Sequence, residues 1–268
     1  GISAVYGNVE VEKTAQNALK IADMIGLECE VFKGASRPLS KNARAAYGVH
    51  GMDGLGDSQL KLPSKTLSDE YGPIAMIKAA KKYNKMWVLA TGPLTNIAIA
   101  TILEPNFPKM IEGLVVMGGA YNLNEYGVGN QTKYAEFNIW SDPEAADIVF
   151  KSFKGAAFIG LDVTANPQTW IKWEEIINLK RTRRSEILKK ITRHQIEAYG
   201  AFKPHDPVAA YYLIEPNGFR MEAHCVKVSL SRPRGRTSII ENKDNCNKVK
   251  RATHLNSKSF KSSFFIAM

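Results

Sequence analysis

The segment K-M-W-V-L-A-T-G-P-L-T-N-I-A-I-A-T-I-L, from Lys85 to Leu103, decides the fold class. Its apolar first part, Lys85 to Ala90, predicts a short buried strand, and T-G-P-L-T-N then opens a helix over Ile97 to Leu103. A strand that runs directly into a helix is the repeating unit of an α/β fold with a parallel sheet.

The same unit recurs on both sides of this segment. Strands are predicted at Ile2 to Tyr6, Glu30 to Lys33, Ile111 to Met117 and Ala156 to Leu161, with helices at Thr14 to Ile25, at Gly72 to Lys82 and after the pair Asp142-Pro143. We therefore predict one α/β domain over residues 1–268, with a mostly parallel open sheet and helices on both faces. Ligands of such sheets bind at the carboxyl ends of the strands, where Asn8, Thr91, Gly118 and Asp162 lie.

Composition narrows the class of protein. No apolar run reaches the roughly 20 residues of a membrane helix, and no signal peptide is visible, so we expect a cytoplasmic protein without a membrane partner. Cys29, Cys225 and Cys246 have no C-x-x-C spacing and are interpreted as free thiols, neither a disulfide framework nor a zinc site. The net charge of +10 is concentrated after residue 171. It suits nucleic acid or an anionic surface, but Lys180 to Lys190 has the pattern of an amphipathic helix with a solvated face.

Polar side chains cluster in N-Q-T-K-Y-A-E-F-N-I-W-S-D-P, from Asn130 to Pro143. The amides of Asn130 and Asn138 and the carboxylate of Glu136 suit a ligand rich in hydroxyl groups, such as a sugar. The alternative is that Tyr134 to Trp140 is a half-buried strand whose polar residues form its wet face.

Two further motifs carry histidine. V-H-G-M-D-G-L-G, from Val49 to Gly56 within the irregular segment Gly34 to Pro63, predicts either a mobile loop that carries His50 or a turn-rich connector. In P-H-D-P, Asp206 could cap the next helix. Alternatively, His205 could act as a general acid beside a carboxylate that ligates a hard cation such as Ca²⁺.

These motifs occur together in a known family, in the same order and at about the same spacing. They are G-N-V at Gly7 to Val9, V-H-G-M-D-G-L-G, T-G-P-L-T-N-I-A, V-M-G-G-A, G-N-Q-T-K-Y-A-E-F-N-I-W-S-D-P-E-A-A and P-H-D-P. From Gly1 to about Pro216, and less clearly to the end through R-G-R-T, the sequence resembles the inosine-uridine preferring nucleoside hydrolases. E-F-N-x-x-x-D-P-E-A-A and H-D-P are the most specific of these motifs.

The resemblance implies hydrolysis of the N-glycosidic bond of a ribonucleoside to ribose and a free base, through an oxocarbenium-like state. In the family, Ca²⁺ at the bottom of the pocket binds the ribose hydroxyls and a water molecule, and an N-terminal aspartate takes the proton of that water. Carried over by motif, His205 would protonate the leaving base and His50 would lie near it. Ribose would be held by Asn8, Asn130, Glu136 and Asn138, and Ca²⁺ by the carbonyl of Thr91 and the carboxylate of Asp206.

One family motif does not occur in this sequence. The family begins with a strand ending in D-x-D-x-G-x-D-D, which supplies most of the calcium ligands and the general base, whereas this sequence starts one strand later. The calcium site is therefore expected to be incomplete, with weak or no Ca²⁺ binding and impaired hydrolysis. The chain is interpreted as a fragment or a mispredicted gene product whose natural form carries that strand. A riboside-binding relative without catalysis, and a basic binder of nucleic acid or anionic surfaces, are the alternatives.

Three expectations complete the prediction. The ligand is a small ribonucleoside, nucleic acid is not expected as a partner, and the role is purine or pyrimidine salvage. The family's usual homodimers or homotetramers imply a homo-oligomer, although the sequence leaves the oligomeric state and the preferred base open. Residues 242–268 are polar and rich in Ser and Lys, and are expected to be poorly ordered.

Overall fold

The computed structural model describes residues 1–40, 47–241 and 246–268. The strands are β1 (Ile2–Ala4), β2 (Val31–Lys33), β3 (Trp87–Ala90), β4 (Gly113–Met117), β5 (Ala157–Ile159), β6 (Phe219–Val228), β7 (Thr237–Ile240) and β8 (Val249–Leu255). The helices are α1 (Val11–Ile25), α2 (Tyr47–His50), α3 (Gly72–Lys82), α4 (Thr95–Leu103), α5 (Phe107–Met110), α6 (Phe137–Ser141), α7 (Pro143–Ser152), α8 (Leu161–Thr164), α9 (Trp173–Ile177), α10 (Arg183–Tyr199), α11 (His205–Ile214) and α12 (Ser257–Ile266). Part of the predicted irregular segment, residues 41–46, lies outside the described residues.

The strands form a mostly parallel sheet, as predicted. In the larger sheet the order is β3-β4-β5-β8-β6-β7, in which β3, β4, β5 and β8 run parallel and β6 is antiparallel to both of its neighbours. Strands β1 and β2 pair in parallel as a separate sheet. The α/β architecture is confirmed, but within the described residues the sheet is in two parts rather than one.

Local sequence explains where the main helices begin and end. Helix α1 buries the stripe Val11, Ala15, Leu19 and Ala22, and it ends at Gly26, whose φ of 71° is the left-handed conformation that glycine adopts without strain. It starts one turn before the predicted Thr14. The predicted cap of α7 is confirmed, because the carboxylate of Asp142 accepts the backbone N–H of Ala145.

Two apolar cores cover the two faces of the larger sheet. On one face α4 and α7 pack around the fully buried Phe107 and Phe158, and Phe158 lies next to a stacked Phe150. On the other face α11 and α12 pack through Tyr211 and Phe260. Helix α10 buries Ile187 and Leu188 on one side, so the predicted amphipathic pattern is confirmed. Among the described residues, no helix is long and apolar enough to cross a membrane.

Strand β3 is not the buried strand that the sequence predicts. Its residues alternate between exposed and half-buried, and the side chains of Trp87 and Leu89 are 49% and 36% exposed. The physical reason is its position, since among the described residues β3 is the edge strand of the larger sheet and pairs only with β4. An edge strand lacks a neighbour on one side, so its apolar residues are covered less completely.

The C-terminal part also differs from expectation. Residues 249–266, expected to be poorly ordered, form β8 and α12, because β8 inserts between β5 and β6 and α12 buries Phe260 and Phe264. Residues 242–245 lie outside the described part of the chain. The interpretation of three free thiols is wrong for two of them. Cys225 and Cys246 form a disulfide with Cα atoms 5.9 Å apart, a proximity that spacing in the sequence does not reveal.

Candidate functional site

A cavity of about 860 Å³ lies between β1 and β3, the facing strands of the two sheets. Its walls are formed by these two strands together with residues of α1, α3 and α4, and the carboxyl ends of the strands lead to polar groups. Polar residues of the lining come from several segments and include Asn8, Thr91, Asn138 and Asp206, together with Asn17 of α1 and Asn96 of α4. Four of the predicted site residues are thus brought together at the edge of the sheet where ligands of α/β folds bind.

Glu136 organises this region through the backbone. Its carboxylate is 2% exposed and accepts the N–H groups of Asn138 at 2.8 Å, Ile139 at 3.1 Å and Gly119 at 3.2 Å. It therefore caps α6 and ties that helix to the end of β4. Burial raises the pKa of the Glu136 carboxyl above its ordinary value, and the three N–H groups oppose this rise.

Asn138 is aimed by the helix that Glu136 caps. Its Nδ2 donates to the carbonyl of Met117 at 3.0 Å and lies 3.5 Å from the carbonyl of Thr91. These two carbonyls end β4 and β3, so the amide fixes both strand ends relative to α6. The alternative interpretation of Tyr134 to Trp140 as a half-buried strand is wrong, since α6 begins at Phe137.

Asn130 lies outside the cavity lining. Its side chain is exposed, and its Oδ1 accepts the N–H of Phe137 at 2.9 Å. This bond closes the loop that leads into α6. In this structure Asn130 therefore supports the pocket through α6, and it does not itself line the cavity.

His205 and Asp206 occupy the start of α11. The predicted helix-cap role of Asp206 is wrong, because α11 already begins at His205 and the cap residue is Pro204, without a side-chain cap. The Asp206 carboxylate is thereby left to face the cavity. Nδ1 of His205 lies 2.8 Å from Oγ1 of Thr164.

Surrounding protein shifts both of these groups toward their neutral forms. Burial, and then the charges of Lys203 and His50, lower the pKa of His205 to about 4. Burial, and then the charge of Glu136, raise the pKa of Asp206 to about 7. Asp206 is nevertheless exposed to the solvent of the cavity, and this solvent screens the charge of Glu136 and opposes the rise of the Asp206 pKa. Two neighbouring carboxyl groups without a counter-charge favour binding of a proton or a cation.

Replacing Asp206 with asparagine is expected to raise the melting temperature at pH 8 in the presence of a chelator. The folded chain holds the Asp206 proton up to about pH 7, whereas the unfolded chain releases it near its ordinary pKa of 3.8. The stability that the protonated form contributes is therefore complete below about pH 4 and is lost as the pH rises toward 7. An asparagine, neutral at every pH, avoids this loss.

Thermal unfolding followed between pH 4 and pH 8 measures this effect. Asp69→Asn, at an exposed carboxylate that does not line the cavity, is the matched control and should show no such pH-dependent gain. An Asp206→Asn variant that melts at a lower temperature than the unsubstituted chain at pH 8 would contradict the raised pKa of Asp206.

The glycine-rich motif is a compact turn held by its own carboxylates. Oδ1 of Asp53 accepts the N–H groups of Leu55 and Asp57, and Oδ1 of Asp57 accepts those of Met52 and Asp53. Asp53 and Asp57 therefore serve the turn. This geometry favours the turn-rich connector over the mobile loop.

His50 ends α2 immediately before this turn. Burial, and then the charge of His194, lower its pKa. Its influence on the pKa of His205 indicates that the two rings are close enough to interact electrostatically. The predicted proximity of His50 to the remainder of the site is therefore compatible with the structure, although His50 is not part of the cavity lining.

The cavity offers oxygen atoms, the type of ligand that Ca²⁺ binds, but the described residues supply too few of them. Calcium takes about six to eight oxygen ligands, and the carbonyl of Thr91 and the carboxylate of Asp206 are oxygen donors at the cavity. Across residues 1–40, 47–241 and 246–268, no group of three or more His, Cys, Asp or Glu side chains could hold a metal ion. The described residues alone do not fit a complete calcium site.

The sequence analysis did not identify two groups that orient side chains of the candidate site. Thr164, at the end of α8, contacts His205, and the carbonyl of Met117 orients Asn138. The position of Thr164 shortly after a predicted strand was the available signal, because α8 follows β5 directly. Its pairing with His205 spans 41 residues and is not visible in either local motif.

Comparisons with known proteins identify relatives of this chain by sequence and by fold. The family model described as inosine-uridine preferring nucleoside hydrolase matches residues 1–262. A probable uridine nucleosidase 1 of Oryza sativa subsp. japonica is 31% identical, with 85% of this chain and 72% of that protein covered. The inosine-uridine preferring nucleoside hydrolase of Leishmania major is 33% identical, with 86% and 74% covered. The solved purine-preferring ribonucleoside hydrolase of Gardnerella vaginalis superposes with a TM-score of 0.90 at 32% identity, covering 99% of this chain and 88% of that one.

Proposed function

Because the chain belongs to the inosine-uridine preferring nucleoside hydrolase family, an N-glycosidase family that converts ribonucleosides to ribose and free base, we propose that its substrate binds in the cavity at the carboxyl ends of β1 and β3. The observation that carries the proposal is the convergence of Asn8, Thr91, Asn138 and Asp206 on that cavity from four separate segments. A cavity with mostly apolar walls and a few convergent polar groups is the usual form of a small-molecule site.

Ribose recognition is assigned to the amides at the cavity. Asn8 and Asn138 line it directly, and an amide can donate to and accept from sugar hydroxyls. Glu136 and Asn130 belong to the same proposed subsite through α6, since their carboxylate and amide oxygens accept the N–H groups that start this helix. The order of the ribose pocket then depends on how firmly α6 is capped.

Bond cleavage requires stabilisation of the positive charge that develops on the sugar. It also requires a proton or a hydrogen-bond donor for the departing base. When ionised, the carboxyl group of Asp206 places negative charge at the cavity, which favours an oxocarbenium-like state. His205, adjacent in sequence to Asp206, is assigned to offer a hydrogen to the leaving base, with His50 near that base. The resemblance gives the proton of the water to an aspartate of the family's first strand, a role that none of the described residues fills.

Calcium is proposed as the cofactor of the complete site. Thr91 and Asp206 would contribute two of its oxygen ligands, and bound Ca²⁺ would neutralise the paired carboxylates and orient the ribose hydroxyls. The remaining ligands would come from the acidic D-x-D-x-G-x-D-D strand of the family. Turnover by the described residues alone is therefore expected to be impaired.

Release of free base from inosine and from uridine tests the proposal. It is measured for this chain and for a form preceded by a D-x-D-x-G-x-D-D strand, each with Ca²⁺ and with a chelator. We expect the extended form to be much the faster and to need Ca²⁺. Equal turnover by the two forms, or turnover that a chelator leaves unchanged, would overturn the calcium assignment.

The preferred base is left to the same experiment. The relatives are named for different bases, since they include a probable uridine nucleosidase and a purine-preferring hydrolase. The ratio of inosine to uridine turnover will decide between them for this chain. Cytoplasmic location, a salvage role and a homo-oligomeric assembly stay predictions.

Binding of a riboside without cleavage is the second candidate function. It is favoured by one observation, namely that the amides of Asn8 and Asn138 reach the cavity, where they can bind sugar hydroxyls. Calorimetric titration with ribose and inosine would show saturable binding in the absence of base release. An absence of binding by a folded chain would exclude this candidate.

A further inference from the structure

Thr164 makes the contact that holds the His205 ring. It lies at the end of α8, is fully buried, and places Oγ1 2.8 Å from Nδ1 of His205. Both backbone groups of Thr164 are also engaged, because its N–H donates to Gly160 and its carbonyl accepts Oγ1 of Thr169. The hydroxyl is therefore presented from a fixed backbone.

The number of protons available to this contact determines which atom donates the hydrogen bond. A threonine hydroxyl carries one proton and two acceptor sites. Among the described residues, Nδ1 of His205 is the hydrogen-bond partner of Oγ1 of Thr164. If Nδ1 carried the ring proton and donated it, the hydroxyl proton would be left buried without an acceptor, which destabilises that arrangement. The favoured arrangement has the Thr164 hydroxyl donating to an unprotonated Nδ1.

A neutral imidazole carries one ring proton, so an accepting Nδ1 leaves that proton on Nε2. Nε2 has no hydrogen-bond partner among the described residues. We propose that Thr164 is a positioning residue that fixes neutral His205 as its Nε2–H tautomer, so that Nε2 is the ring nitrogen able to donate to a departing base. The role of the N–H rests on the proposed function, whereas the tautomer does not.

The Nε2–H tautomer determines which hydrogen-bonding group His205 offers to the substrate. In this tautomer the ring is a hydrogen-bond donor through Nε2 without an extra proton, so a base nitrogen that gains electrons as the glycosidic bond breaks finds an N–H already in place. Without the threonine hydroxyl, the ring would distribute its proton between Nδ1 and Nε2 and rotate more freely. A buried valine of the same shape would fill the volume and lose only the hydrogen bond.

Two-dimensional ¹⁵N NMR of the histidine rings at pH 8 tests the tautomer directly in the chain as it is. His205→Gln identifies the His205 signals among the five histidines. We expect Nε2 to be protonated in the unsubstituted chain and in Thr164→Ser, and protonation to be shared with Nδ1 in Thr164→Val. A proton on Nδ1 in the unsubstituted chain would overturn the proposal even if Thr164→Val does not fold.

Kinetics of the extended, calcium-loaded form provide the second readout. Thr164→Val is expected to lower kcat by about ten- to a hundredfold, a part of the roughly 10²–10⁴ that general acid–base groups contribute, with little change in KM. Thr164→Ser should restore most of kcat. An unchanged kcat in Thr164→Val alongside a shifted tautomer would overturn the positioning role. A failure of the proposed function would differ, because His205→Ala would then also leave turnover unchanged.

Discussion

Replacing Glu136 with alanine is expected to lower the free energy of unfolding by about 3 to 5 kcal/mol. Each hydrogen bond to a charged group contributes about 1.5 to 3 kcal/mol, and buried donors that are left unpaired add to the loss. Three backbone N–H groups depend on this buried carboxylate, from Gly119, Asn138 and Ile139. Their loss would release the start of α6 from the end of β4. Urea-induced unfolding at pH 7 measures the effect.

Two variants make the Glu136 experiment specific. Glu136→Gln keeps one acceptor oxygen and should lose a smaller part of the stability. Glu112→Ala, at an exposed position just before β4, is the control and should change the free energy of unfolding by less than about 0.5 kcal/mol. If Glu136→Ala also cost less than about 1 kcal/mol, the carboxylate would not be the cap that holds α6.

Substitution of His205 by alanine is expected to reduce base release by about 10²–10⁴-fold, the usual contribution of a positioned general acid or hydrogen-bond donor. The measurement uses the form that carries the family's acidic first strand, with Ca²⁺, so that turnover is measurable. Because the pKa of His205 is lowered to about 4, its ring is neutral from pH 6 to pH 8, and the loss should be the same across that range.

The matched control for His205 is His254→Ala, at an exposed position on β8. It should leave kcat and KM unchanged. For His205→Ala, a fall in kcat with nearly constant KM indicates an interaction made only in the transition state. A large rise in KM at constant kcat would instead assign His205 to substrate binding, contrary to the proposed role.

Local chemistry explains which parts of the fold could be predicted from sequence. The alternation of strands and helices, the stop of α1 at Gly26 and the cap of α7 by Asp142 each depend on residues within a few positions of one another. Such features follow from periodicity and capping alone. The approach of Asn8 and Thr91 to one cavity was also predictable, because parallel strands end at one edge of a sheet, whereas Asn138 and Asp206 were assigned through the family resemblance.

Errors occurred where distant partners decide the outcome. The exposure of β3 depends on the strand order, and the Cys225–Cys246 disulfide depends on how the chain returns to β6. Asp206 resembled a helix cap, but Pro204 already occupies the cap position. The contact of Thr164 with His205 combines two segments that carry no shared local pattern. Each of these facts is set by tertiary packing, which composition and spacing do not encode.

The open flank of β3 is expected to affect how this chain behaves in solution. Strands β1 and β3 face each other across the cavity, and in the described residues β1 pairs only with β2 and β3 only with β4. An unpaired strand flank bearing apolar side chains such as Trp87 and Leu89 is a template on which other chains can add strands and aggregate. Solubility during concentration and storage therefore depends on what covers this flank, independently of catalysis.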